Sequence, residues 1–194
     1  MPIPVPQLYF DLGSPYAYLA MERAQAVLGR PVALEPVLVG AIFGCRGHGS
    51  WALTEQRAAG MAEIERRARR YGLPPMTWPD GWPADALAAM RCAIWAARQG
   101  RLAAFASAVC RRQWVEGADI SDLDVLAASA AEAALDPDDM LDAIQAPELK
   151  EQLRTVTERA WAAGVRGVPT LRVGDALFFG DDRLEEAATR LDRS

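Results

Sequence analysis

The chain has one histidine, His48, and one lysine, Lys150, among its 194 residues. A mechanism that needs several histidine ligands, or a Ser-His-Asp triad, has almost nothing to draw on. The three cysteines, Cys45, Cys92 and Cys110, are far apart, odd in number and without a Cys-x-x-Cys pair. A disulfide scaffold, a zinc cluster and a dithiol redox centre all lack their residues, and no metal is expected. Each cysteine sits in or near an apolar segment, which suits a buried, inert thiol. No segment approaches the roughly 18 consecutive apolar residues of a membrane-spanning helix. The first dozen residues have neither a basic start nor a continuous apolar core, so a cytoplasmic protein is expected. A basic surface is also missing. With a net charge of −5, the chain is a poor nucleic-acid binder.

What is present is an ordinary globular composition, 51% hydrophobic and 24% charged, enough for one compact domain or a small domain with a large insertion. Leu8-Tyr9-Phe10-Asp11-Leu12 reads as a strand broken by Gly13-Ser14-Pro15. Ser14 is a good N-cap and Pro15 a good first helical residue. Ala17, Leu19, Ala20, Ala24 and Leu28 follow at helical spacing until Gly29 and Pro31, and Val32 to Leu38 reads as a second strand. A one-helix crossover makes the two strands parallel.

From about residue 52 to about 164 nearly every segment has helical period. Met61, Ile64, Ala68 and Tyr71 share one face, with Arg66, Arg67, Arg69 and Arg70 mostly on the other. Ser121-Asp122-Leu123-Asp124 resembles a capping box. Asp136-Pro137 and Ala146-Pro147 open two more helices. The end reverts to strands, Pro169 to Val173 and Ala176 to Phe179, around a Gly174-Asp175 turn that suits type II′, and then a last helix. The fold class is α/β, in the thioredoxin order: βαβ, a large all-helical insertion, then ββα. The expected division is 1–40 with 165–194 as the thioredoxin-like domain and 41–164 as the inserted helical domain.

In that order the reactive residue sits at the N-terminus of the first helix, and here that residue is Ser14. Free N–H groups and the helix dipole favour a negative charge there. Ser14 cannot exchange disulfides, but its hydroxyl can donate to a thiolate carried by a ligand; a plain N-cap is the other possibility. Pro169, after Val168, occupies the place of the thioredoxin cis-proline, where a cis bond would free the preceding backbone for an extended peptide ligand. An ordinary trans proline opening a strand is the alternative. Gly180-Asp181-Asp182-Arg183, after Phe179, could hold an amino-acid end, or could simply complement the helix dipole.

Taken together, Tyr9-Phe10-Asp11-Leu12-Gly13-Ser14-Pro15-Tyr16-Ala17-Tyr18-Leu19-Ala20, Pro36-Val37-Leu38-Val39-Gly40-Ala41-Ile42-Phe43, Gly164-Val165-Arg166-Gly167-Val168-Pro169-Thr170 and Phe178-Phe179-Gly180-Asp181-Asp182-Arg183-Leu184 resemble the 2-hydroxychromene-2-carboxylate isomerase family. This is the group of DsbA-like proteins that includes kappa-class glutathione transferases. The resemblance implies glutathione as cofactor, an aromatic carboxylate as substrate and a homodimer. It implies that Ser14 holds the glutathione sulfur and serves catalysis, that Val168 and a cis Pro169 pair with its cysteinyl backbone, and that Phe179, Gly180, Asp181, Asp182 and Arg183 bind its γ-glutamyl end. Three positions depart from the family pattern: Gly47-His48 for Gly-Asn, Gln56 or Arg57 for a lysine, and Asp85, after Trp82-Pro83-Ala84, for an asparagine. His48 is a pocket residue or a solvated loop histidine. Trp82 floors an aromatic pocket or packs as core. His48, Trp82 and Asp85 are the expected substrate-side residues.

Overall fold

The structure is a computed structural model of the chain and describes residues 5–47 and 49–192. The expected element order is present. β1 (Gln7–Phe10), α1 (Pro15–Leu28) and β2 (Ala33–Pro36) open the chain. The helices α2 (Val39–Arg46), α3 (Arg57–Arg70), α4 (Leu87–Arg98), α5 (Leu102–Trp114), α6 (Leu123–Glu132), α7 (Pro137–Ala143) and α8 (Pro147–Ala162) fill the middle. β3 (Thr170–Val173), β4 (Ala176–Phe179) and α9 (Leu184–Asp192) close it, with short 3-10 turns at Trp51–Leu53 and Asp181–Arg183.

The four strands form one mixed sheet in the order β2-β1-β3-β4. β1 runs parallel to β2, Leu8 opposite Leu34, and antiparallel to β3, Leu8 opposite Leu171. Side chains alternate across a strand, so Leu8 and Tyr9 face opposite ways. Leu8 packs against Ala20 and Ala24 of α1 and Leu184, Ala187 and Leu191 of α9. Tyr9 joins Val37, Ala160 of α8 and Val165 on the other face. Phe10 and Leu12 lead into the largest cluster, which runs through α4 and α5 to Leu149 and Leu153 of α8.

Glycine and proline punctuate the chain as expected. Gly29 ends α1 in the left-handed region, φ +63°. Gly174 takes φ +59° in the β3-β4 turn while Asp175 does not have a positive φ, as a glycine-first turn requires. Three expectations need correction. Strand β1 stops at Phe10, because the Asp11 carboxylate turns the chain by accepting from the Gly13 N–H at 2.8 Å. The cap of α6 is Asp122, which accepts from the Asp124 N–H at 2.9 Å; Ser121 is held instead by the Asp119 carboxylate at 2.8 Å. Finally, Cys92 and Cys110 are buried but Cys45 is exposed, since it falls near the end of α2, a helix with one buried residue, Ile42.

One contact ties the helical block to the sheet. Arg67 of α3, assigned by periodicity to a solvent face, turns inward, and its Nη1 donates to Asp181 Oδ1 at 2.8 Å. The Tyr71 hydroxyl donates to Asp181 Oδ2 at 2.9 Å, and Arg23 of α1 donates to the Asp181 carbonyl at 3.1 Å. The Arg23 guanidinium also lies 3.5 Å from the Tyr71 ring centroid. Asp181 is 1% exposed, so removing its carboxylate leaves several donors facing a dry site. Asp181→Ala should therefore lower unfolding free energy by about 2–4 kcal/mol in urea titrations. Arg154→Ala, which removes an exposed ladder to Glu151 and Glu158, should leave the urea midpoint nearly unchanged.

Candidate active site

The β1-α1 turn is built by two hydrogen-bonded caps in series. Asp11 Oδ1 takes the Gly13 N–H, and the Asp11 carbonyl takes the Ser14 N–H at 3.0 Å. Ser14 then caps α1, its Oγ accepting from the Ala17 N–H at 3.3 Å in extended backbone geometry. The Ser14 hydroxyl proton is not donated to any described residue, and the Tyr16 N–H in the first helical turn has no partner among them. Two donors thus lie at the positive end of a 14-residue helix.

That point opens into a cavity of about 500 Å³. Ser14, Trp82, Asp85, Val168 and Phe179 all line it, so five of the expected site residues meet there. The Val168-Pro169 bond is cis, as expected for this position, and so is Trp82-Pro83, which the sequence did not signal. Neither the N–H nor the carbonyl of Val168 has a backbone partner among the described residues, while the Pro169 carbonyl accepts from the Gly180 N–H at 3.0 Å. Phe179 is 57% exposed, and its ring lies on Gly167, where a Cβ would come within 2.8 Å of it.

The far wall is aromatic. Trp82 is 4% exposed and is both core and cavity floor: its ring centroid lies 4.7 Å from that of Trp78 and 5.5 Å from that of Trp51. Trp51 in turn meets Tyr16 edge-on at 6.0 Å. It seats directly on Gly60 of α3, whose missing side chain makes room for the indole. Arg57 donates to the Trp82 carbonyl at 2.7 Å, with its guanidinium 5.7 Å from the Trp82 ring. Of the two candidates for the family lysine, Arg57 is therefore the one beside this wall. Gln56 is the exposed N-cap position of α3 and does not line the cavity.

The remaining expected residues are distributed differently. Asp85 is exposed and spends one oxygen on the Leu87 N–H at the start of α4, 2.8 Å away. Gly180, Asp181, Asp182 and Arg183 lie outside the cavity lining. The Asp181 carboxylate is already held by Arg67 and Tyr71, and burial raises its carboxyl above the usual range although Arg67 opposes this. The Asp182 side chain is 54% exposed, 3.4 Å from Arg67 Nη1, and Arg183 pairs with Glu186. His48 lies outside the described residues.

The cavity also holds a buried acid that is not among the residues expected from the sequence. Asp11 is 2% exposed, lines the same cavity as Ser14, and accepts from the Val39 N–H of α2 at 2.8 Å as well as from Gly13. Burial pushes its carboxyl up to about 6 from 3.8; the Val39 and Gly13 N–H groups oppose the rise, and the Asp85 charge adds to it. A signal was available: an acid two residues before a Gly-Ser-Pro helix start is placed for an Asx turn. Because the folded-state pKa is raised, the folded protein binds this proton more tightly than the unfolded chain does. Its contribution is fully present below about pH 4 and is lost as pH rises through about 6, a change of about 3 kcal/mol. Asp11→Asn abolishes that titration. The stability of the natural protein relative to Asp11→Asn should thus fall by about 2.5 kcal/mol between pH 4 and pH 7 in denaturant titrations. A difference independent of pH would mean that Asp11 titrates normally.

Known proteins share this architecture. Residues 7–192 match the family model of the DsbA-like thioredoxin domain. The 2-hydroxychromene-2-carboxylate isomerase of Sphingobium xenophagum is 30% identical over 186 residues, covering 91% of this chain and 92% of that protein. Glutathione S-transferase kappa 1 of Homo sapiens is 27% identical over 196 residues, covering 92% of this chain and 87% of that protein. A solved 2-hydroxychromene-2-carboxylate isomerase superposes with a TM-score of 0.87 at 20% identity, over 98% of this chain and 95% of that one. With β1, the Ser14 helix start, the cis Val168-Pro169 bond and the intervening helices all in place, the chain belongs to the DsbA-like thioredoxin family, in the group that includes 2-hydroxychromene-2-carboxylate isomerase.

Proposed function

We propose that the chain is a glutathione-dependent isomerase that converts 2-hydroxychromene-2-carboxylate to trans-o-hydroxybenzylidenepyruvate. The observation that carries this proposal is the free hydroxyl donor of Ser14 at the N-terminus of α1, inside an aromatic-walled cavity. No cysteine occupies that position, so a nucleophilic sulfur has to come with a ligand. The residues suit glutathione. Ser14 Oγ–H and the Tyr16 N–H are donors for its sulfur, and the unpaired N–H and carbonyl of Val168 suit its extended cysteinyl backbone. Asp182 is open to its ammonium end, whereas the Asp181 carboxylate is committed to Arg67 and Tyr71, so Asp181 supports the turn from behind.

When bound, glutathione supplies a thiolate able to add reversibly to a conjugated side chain and so loosen its double bond to rotation. The protein's part is electrostatic and steric. The helix start and Ser14 lower the thiol's pKa. Trp82, Trp51 and Tyr16 give a planar aromatic substrate a face to stack on. A kappa-type transferase would use the same thiolate end, and the 27% identity to such an enzyme makes it the second reading. Glutathione stoichiometry separates the two.

Calorimetry should show saturable glutathione binding, weakened roughly tenfold by Asp182→Ala, about 1–2 kcal/mol for an exposed charge-assisted contact. Conversion of the hydroxychromene should require glutathione yet consume none. A conjugate formed in step with thiol loss would favour the transferase, and equal turnover without glutathione would defeat both. Ser14→Ala, checked as folded by circular dichroism, should lose most activity near pH 7 and recover part of it near pH 9.

A further inference from the structure

A second cavity, of about 680 Å³, lies between α2, α4 and α8. Leu38, Ile42, Leu87, Leu153 and Trp161 supply its apolar surface. Helix α2 separates it from the Ser14 cavity. Val39, Gly40 and Phe43 face that cavity, Ala41, Ile42 and Cys45 face this one, and Leu38 touches both.

The charges on its wall do not cancel. Arg154 pairs with both Glu151 and Glu158. Arg91 and Lys150 have no ion-pair partner among the described residues, so the lining carries a net charge of +1. The Nε of Arg91 is buried and has no acceptor among the described residues, and only the outer nitrogens of the guanidinium are left to meet a ligand. An anion placed against the outer guanidinium nitrogens of Arg91, with an apolar body along Leu87, Leu153 and Trp161, would neutralise the excess charge.

We propose that this cavity is a binding site for an amphipathic monoanion, an aromatic carboxylate in chemical class, held by Arg91 and Lys150. The site is separate from the Ser14 cavity and does not depend on the glutathione-dependent activity proposed above.

The wall carries its own reporter, since Cys45 is exposed there while Cys92 and Cys110 are buried. Labelling of Cys45 with N-ethylmaleimide, followed by mass spectrometry, should slow saturably as 1-naphthoate is added. The neutral 1-naphthalenemethanol should protect at least tenfold less well. Lys150→Glu, on the exposed face of α8, and Arg91→Gln should each weaken protection by 1-naphthoate at least tenfold, while Ser14→Ala leaves it unchanged. The proposal fails if naphthoate gives no protection, if the neutral analogue protects equally, or if Ser14→Ala abolishes protection, which would put the ligand in the other cavity. It also fails if Cys45 is unreactive in the unliganded protein and sedimentation shows a dimer, since a second copy would then cover this face. Circular dichroism of both charge variants confirms that loss of protection is not loss of fold.

Discussion

The Asp11 carboxylate holds together the parts on which the rest depends. One oxygen takes the N–H of Gly13 and so turns the chain out of β1 into α1; the other takes the N–H of Val39 and so fixes where α2 leaves β2. A single buried side chain thereby sets the position of the Ser14 helix start relative to the cavity wall facing it. The cost is a carboxylate in a dry site, visible in a pKa pushed up to about 6. An asparagine of the same size has one acceptor oxygen, whereas the acid offers a separate oxygen to each of the two backbone donors.

A second contact places the helical block. Asp181 looks from sequence like one of two interchangeable acids at a helix start, yet only Asp182 stays open to solvent. Arg67 and Tyr71 of the α3 region close on Asp181, and Arg67 also lies 5.6 Å from the ring of Tyr16, a wall of the cavity. The same residues that dock the insertion against the sheet therefore shape one side of the site. Stability and site geometry are coupled here through Arg67, between the turn after β4 and the first turn of α1.

Helices and strands were legible because local rules decide them: Ser14-Pro15 at a helix start, Gly29 and Gly100 past helix ends, and a Gly174-Asp175 turn between two short apolar runs. The Ser14, Val168 and Phe179 part of the site was legible because it hangs on those same elements and on recognisable motifs. Long-range facts were not. Periodicity put Arg67 on a solvent face because its partner is 114 residues away. Trp51 and Gly60 are unremarkable apart, and only packing shows that the glycine is the seat of the indole. Arg57 was one of two candidates until the Trp82 carbonyl distinguished it from Gln56. Cys45 breaks the apolar-segment rule because α2 contributes so little to the core.

The central claim is that the start of α1, with Ser14, stabilises a sulfur anion that the protein itself does not carry. Its most direct measurement is the ultraviolet absorbance of thiolate in the glutathione complex, titrated against pH. The bound thiol should titrate one or more pH units below the roughly 8.5 of a free thiol, and Ser14→Ala should move it back upward. A bound thiol that titrates like free glutathione in the natural protein, unchanged by Ser14→Ala, would contradict the account and leave Ser14 as a helix cap alone.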